Sequence, residues 1–257
     1  KFMNSINVKK NVVLISTRPC EKNMVLLKEL KGTNISLLNY PLTKIEPLKD
    51  YAKFDSLLNN LKNYQHIIFI STNAVHFFVE RFKSLVIKLP DHIIFSSIGP
   101  TTQKALENEF NINVYCPEKT YDSKHLIKNK IFNNLQDKKV LIIRGEGGRE
   151  VLKDMLEKKG SEVHYGECYI RNYVPINLNK LQNEAKSYNS IFLIISSYES
   201  AKYFLTQNNA HNWDWLQSVN IIVNHSRIKD ALSLISKNIV VTNNLSKDSL
   251  LHLINMY

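Results

Sequence analysis

Cysteine is scarce in this sequence. Cys20, Cys116 and Cys168 are odd in number and widely spaced, which fits neither a disulfide framework nor a zinc site and points to a reducing compartment. Long apolar runs are missing as well. None approaches the roughly 18–20 residues that a membrane-spanning helix needs, so no membrane association is expected. The opening residues, "KFMNSINVKK", hold neither the apolar centre nor the small-residue cleavage site of a secretory leader. Together these absences predict a cytoplasmic protein. The eight histidines are dispersed, without H-E-x-x-H or a close pair, so no metal site is expected. No Ser-His-Asp or Cys-His constellation for nucleophilic catalysis stands out. Acidic residues are the minority, 23 Asp and Glu against 34 Lys and Arg, for a formal net charge of +11. The cations are scattered, and no short window interleaves them densely with aromatics, so nucleic acid is not the expected partner. A polyanionic small molecule would balance the charge equally well.

Hydrophobic residues make up 44% of the 257 and charged residues 22%, as in ordinary globular proteins. That length can form one large domain or two smaller ones. Internal repetition favours two. "IFISTNAVHFF" (68–78) aligns with "IISSYESAKYF" (194–204) at a shift of 126 residues, placing Ser71 on Ser197 and Phe78 on Phe204. The same shift carries "QKAL" (103–106) onto "KDAL" (229–232) and Asp122-Ser123 onto Asp248-Ser249. A shift of 128 brings "NVVLISTRP" (11–19) onto "KVLIIRGEG" (139–147), with Lys31-Gly32 on Lys159-Gly160. The unchanging register marks a duplicated unit, the first copy interrupted by the second.

Each copy alternates apolar runs with polar turns and helical patterns. The runs Val12–Ile15, Ile67–Ile70, Ile93–Phe95, Val140–Ile143, Ile191–Ile195 and Ile221–Val223 are continuous, as in strands buried on both faces of a parallel sheet. "REVLKDMLEKKG" spaces Val151, Leu152, Met155 and Leu156 along one helix face and stops at Gly160. The expected fold class is therefore α/β, with two similar doubly wound parallel-sheet, flavodoxin-like domains. The first would comprise 1–39 and 174–257, and the second 46–166. Segments 40–45 and 167–173 would form a two-stranded hinge that lets the domains open and close around a ligand at facing strand ends. "GEGGRE" (145–150) matches neither G-x-G-x-x-G nor the P-loop, so a nucleotide is not expected.

Taken in order, "VLISTRP", "IFISTNAV", "SIGPTTQKAL", "VLIIRGEGGREVL" and "GECYIR" resemble uroporphyrinogen-III synthases over almost the whole chain. The resemblance implies a cofactor-free cytoplasmic lyase of tetrapyrrole biosynthesis. Its substrate would be the linear tetrapyrrole hydroxymethylbilane, a polyanion bearing acetate and propionate groups on its pyrroles. The family closes that chain with inversion of the last ring and loss of water, on two α/β domains joined by a two-stranded ladder. The chain departs from the repeat where Gly99-Pro100-Thr101-Thr102 falls on "HSRI" (225–228), which leaves no support for a role of Ser226. The resemblance also places Tyr169 at the family's recurrent tyrosine, where its phenol would assist the departing hydroxyl.

The remaining candidates follow from the anionic substrate. Hydroxyls and amides at polar turns make carboxylate receptors, which singles out Ser71, Asn73, Thr101, Thr102, Gly145 and Ser197. Arg18 and Arg144 follow apolar runs, where a guanidinium would grip a carboxylate with two hydrogen bonds. No covalent intermediate is required, and Cys168 is expected to be a buried structural thiol. Product identity would come from positioning. A monomer suffices, and the preceding pathway enzyme, hydroxymethylbilane synthase, is a possible partner. The competing reading is a hinged binding protein for an anionic metabolite. A nucleic-acid module, resting on charge alone, would show itself by a steep salt dependence.

Overall fold

A computed structural model describes residues 11–207 and 210–257. In chain order the elements begin with β1 (Val12–Ser16), α1 (Cys20–Glu29), β2 (Ile35–Asn39) and β3 (Thr43–Pro47). There follow α2 (Ala52–Asn59), β4 (His66–Phe69), α3 (Thr72–Ser84), β5 (Ile94–Ser97), α4 (Pro100–Phe110) and β6 (Val114–Tyr115). Next come α5 (Ser123–Ile127), β7 (Lys139–Gly145), α6 (Val151–Glu157) and β8 (Glu162–Tyr173). The chain ends with α7 (Leu178–Ala185), β9 (Ser190–Ile194), α8 (Tyr198–Thr206), α9 (Ala210–Gln217), β10 (Asn220–Val223), α10 (Ser226–Leu232), β11 (Ile239–Val241) and α11 (Lys247–Asn255).

The described residues form two compact units, one from 11–44 together with those from 172 onward, and the other from 45–171. The first holds a five-stranded sheet in the order β11-β10-β9-β1-β2, all of its pairs parallel. The second holds six strands in the order β3-β8-β7-β4-β5-β6, parallel from β8 to β6. Strand for strand, β6, β5, β4, β7 and β8 repeat β11, β10, β9, β1 and β2. The two shifts in the sequence mark this correspondence: β5 moved by 126 residues is β10, and the starts of α3 and α4 fall on those of α8 and α10. Both sheets have the doubly wound order of flavodoxin-like folds, entered by the chain at different strands.

The continuous apolar runs pack on both sides of their sheets. Alternate residues of a strand face opposite ways, so Val13 and Ile15 join Leu193, Phe204 and Val223 in one core layer. Val12 and Leu14 join Leu26, Phe192 and Leu250 in another. In the second unit Ile67 and Phe69 pack with Phe54, Phe78 and Ile143, and Ile68 with Phe132, Ile142 and Leu156. Helix α6 is shorter than its pattern suggests and leaves Val151 47% exposed. Its following turn does end at Gly160, which takes φ +89°. Residues 167–173, expected as one side of a hinge, are the C-terminal half of β8.

One core residue breaks the apolar rule. His66 opens β4 almost fully buried, stacked on Phe132 with ring centroids 5.3 Å apart. Neither ring nitrogen finds a hydrogen-bond partner among the described residues. Burial, helped by the nearby Lys138 cation, lowers its pKa from 6.5 to about 4. Between those values the unfolded chain takes up a proton that the folded chain refuses. Stability therefore falls as the pH drops through that window, by about 2 kcal/mol at pH ~4.5. We expect His66→Leu to remove most of that loss, measured as the difference between urea midpoints at pH ~7.5 and ~4.5. An unaltered difference would show that His66 stays unprotonated, or protonates freely, in both states.

Candidate active site

A cavity of about 700 Å³ in the second unit lies beyond the carboxyl ends of β4, β5 and β7 and against β8, where doubly wound sheets collect ligands. Its charged lining is four cations, Lys124, Arg144, Arg149 and Arg171, against two anions, Asp122 and Glu146. Tyr169, Tyr165, Ile70, Ile98 and Leu152 supply the less polar walls. Such a mixture of apolar wall and convergent cations suits a polyacid with an aromatic body.

A β-bulge places the tyrosine. Strands β7 and β8 pair regularly up to Arg144 and Glu167, and then Gly145 faces Tyr169, with Cys168 the extra residue. Consecutive residues of a regular strand point to opposite faces, but here Cys168 and Tyr169 both enter the same core cluster. The Tyr169 ring lies 3% exposed and stacks on Phe77 at 5.5 Å. Its hydroxyl sits 3.2 Å from Ser71 Oγ. Ser71 caps α3, its Oγ accepting the Ala74 N–H at 3.1 Å. The Tyr169 carbonyl accepts the Glu146 N–H at 2.8 Å, fixing the start of the 145–150 loop to the same strand. Cys168 is the structural thiol the sequence suggests: burial pushes its pKa upward, and its Sγ donates to the Arg144 and Ala74 carbonyls.

Arg144 is the last residue but one of β7 rather than a residue after the strand, and its side chain is 4% exposed. The guanidinium lies over the Tyr165 ring at 4.4 Å. Nε donates to the Gly145 carbonyl at 3.2 Å and Nη1 to that of Arg149 at 3.4 Å. Glu150 Oε1 stands 3.6 Å from Nη1, while Tyr165 donates its hydroxyl to Glu150 Oε2 at 2.7 Å. Burial and the Glu150 carboxylate both push the Tyr165 pKa upward, so the phenol stays a donor. Gly148 takes φ +107°, and a Cβ there would strike Arg144 Nη2. The loop thus folds over its own arginine.

Of the sequence-derived candidates, Arg144, Gly145 and Tyr169 line the cavity, and Ser71 reaches it through Tyr169. Asn73 and Thr101 stand in the first turns of α3 and α4, half-buried and exposed respectively, outside the lining. Thr102 is buried in the first turn of α4. Arg18 and Ser197 belong to the other unit. Arg18 borders a shallow depression with Lys22, Glu29 and Ser246, where burial lowers its pKa. Ser197 caps α8, accepting the Ser200 N–H at 3.0 Å. Lys124, Arg149, Tyr165 and Arg171 also line the cavity and are not among those candidates. Period-two alternation from Tyr169 along "YIR" would have found Arg171. The others depend on contacts distant in sequence. Among the described residues no cluster of His, Cys, Asp and Glu could hold a metal ion, and no helix is long and apolar enough to cross a membrane.

The family model described as uroporphyrinogen-III synthase HemD matches residues 25–252. The chain belongs to the uroporphyrinogen-III synthase family. Members of that family are cyclising lyases of haem biosynthesis. The synthase of Proteus mirabilis is 27% identical over 161 residues, 63% of this chain and 81% of its own. That of Escherichia coli K12 is 28% identical over 158 residues, covering 62% of this chain and 64% of its own, so nearly two thirds of that relative is spanned. In fold, the crystal structure of a mutant synthase from Thermus thermophilus matches 95% of this chain and 98% of its own, with a TM-score of 0.64 at 12% identity. The Helicobacter pylori enzyme gives 0.59 at 18% identity, over 96% and 99%.

Proposed function

We propose that this chain is a working uroporphyrinogen-III synthase and that the cavity beside Tyr169 receives part of its substrate. One observation carries the reading: a buried phenol, braced by Ser71, opens onto a cavity with a cationic majority. Acetate and propionate groups of hydroxymethylbilane pair with Lys124, Arg149 and Arg171, while the pyrroles lie against Tyr169 and the aliphatic wall. When Ser71 donates to the phenol oxygen, the Tyr169 hydrogen is free to be given to the departing hydroxyl. Loss of water leaves a cation delocalised over the pyrroles, which needs no covalent partner. Holding the chain coiled then directs attack to the substituted carbon of the last ring, so product identity is set by positioning. The reading calls for no cofactor and for no more than a monomer in a reducing cytoplasm. Because hydroxymethylbilane closes unaided to the type I product, the chain would take it fresh from hydroxymethylbilane synthase.

The test generates hydroxymethylbilane in situ, oxidises the products and separates the porphyrin isomers. Type III should predominate when the protein is present. Type I alone, with and without protein, would overturn the reading.

A further inference from the structure

We propose that Arg144 and Tyr165 form a carboxylate-binding subsite whose built-in occupant is Glu150, and that an acid group of the ligand takes Glu150's place. The proposal rests on the synthase reading for the identity of that ligand, a polycarboxylate tetrapyrrole.

The Glu150 carboxylate already shows what the subsite recognises. One oxygen accepts the Tyr165 hydroxyl at 2.7 Å, and the other stands 3.6 Å from Arg144 Nη1. Both donors line the cavity, whereas Glu150 is not part of its lining and is 57% exposed. The donors are fixed and the acceptor is not. Arg144 is buried, held by the Gly145 and Arg149 carbonyls and by the face of the Tyr165 ring. Lys153, 5.3 Å from the other partner's ring centroid, adds a second cation to the neighbourhood. Glu150 is tied by one good hydrogen bond and one long ion pair, and exposed pairs of that kind contribute little. A buried guanidinium without any anion would be destabilising, so Glu150 satisfies Arg144 during folding and yields to a better-placed carboxylate from the cavity. Gly148 lets the loop backbone lie against this guanidinium, because a side chain there would strike it.

Uroporphyrin III, the oxidised type III product, serves as a probe that needs no turnover, its binding followed by fluorescence. Glu150→Ala empties the subsite and should tighten binding about fivefold. Glu150→Gln removes the competing charge but keeps an acceptor for Tyr165, and should fall between Ala and wild type. Glu109→Ala makes the same charge change in α4, outside the cavity lining, and should alter binding by less than about twofold. Adding Tyr165→Phe to Glu150→Ala should cancel most of the gain. Wild-type or weaker affinity in both Glu150 variants would overturn the proposal, as would an equal gain in Glu109→Ala. If Glu150→Ala melts too low to assay, Glu150→Gln decides alone. Should the wild type yield only type I isomer, the synthase reading fails, while tighter binding by the Glu150 variants would still establish the subsite.

Discussion

Tyr169→Phe is expected to form type III product about 10–100-fold more slowly than the wild type, with its melting temperature nearly unchanged. The size follows from the contribution of a positioned proton donor, which for general acids is commonly 10²-fold or more, reduced here because a phenol is a weak acid. Stability changes little because the ring keeps its stacking on Phe77, and one hydrogen bond, to Ser71, is worth about 1 kcal/mol. The phenylalanine also keeps the cavity wall, so the apparent KM should hold while kcat falls. As the catalysed route slows, spontaneous closure competes and the type I share rises. A variant with wild-type kcat would remove Tyr169 from the chemistry.

Gly145→Ala should damage both stability and turnover. A Cβ at this position would lie 2.7 Å from Tyr169 Cζ and 2.8 Å from Cδ2, inside the ring's own contact distance. The ring cannot retreat easily, because Phe77 stacks on it and the β7–β8 bulge fixes its backbone. Overpacking of this kind costs about 1–3 kcal/mol, read as a melting point lower by several degrees, and it moves the phenol away from Ser71. Gly147→Ala is the comparison. Its φ of +70° strains an alanine, yet nothing lies within 4 Å of the added methyl, so it should lose some stability and keep its turnover per folded molecule. If Gly145→Ala turned over at the wild-type rate, the close approach of the two strands would not be what positions Tyr169.

These effects show where the sequence could be read and where it could not. Central strands such as β4 and β9 declare themselves as apolar runs because helices cover both of their faces. The doubling was legible for the same reason, since the two copies bury the same positions. Edge strands gave no such signal. In β2, "ISLLN", every residue is at least partly exposed, and β6 has two residues; β8 lies between β3 and β7 but also gave none, because it mixes charged, polar and apolar residues around its bulge. Arg144 could be named from its place at the end of an apolar run, and Tyr169 from the family resemblance. Their surroundings could not, because the contact of Arg144 with Tyr165 and Glu150, like that of Tyr169 with Gly145, depends on the register of β7 against β8. Thr102 shows the opposite limit. A hydroxyl in a helix's first turn looks like a receptor in the sequence, but here it is packed inward. Arg18 and Ser197 carry the right chemistry in the unit that lacks this cavity.

The most direct test of the central claim is a crystal structure of the protein with uroporphyrin III. The macrocycle should lie against the Tyr169 side of the second unit, with its carboxylates within hydrogen-bond distance of Arg149, Arg171 or Lys124. A well-ordered ligand that left all three cations and Tyr169 untouched would contradict it.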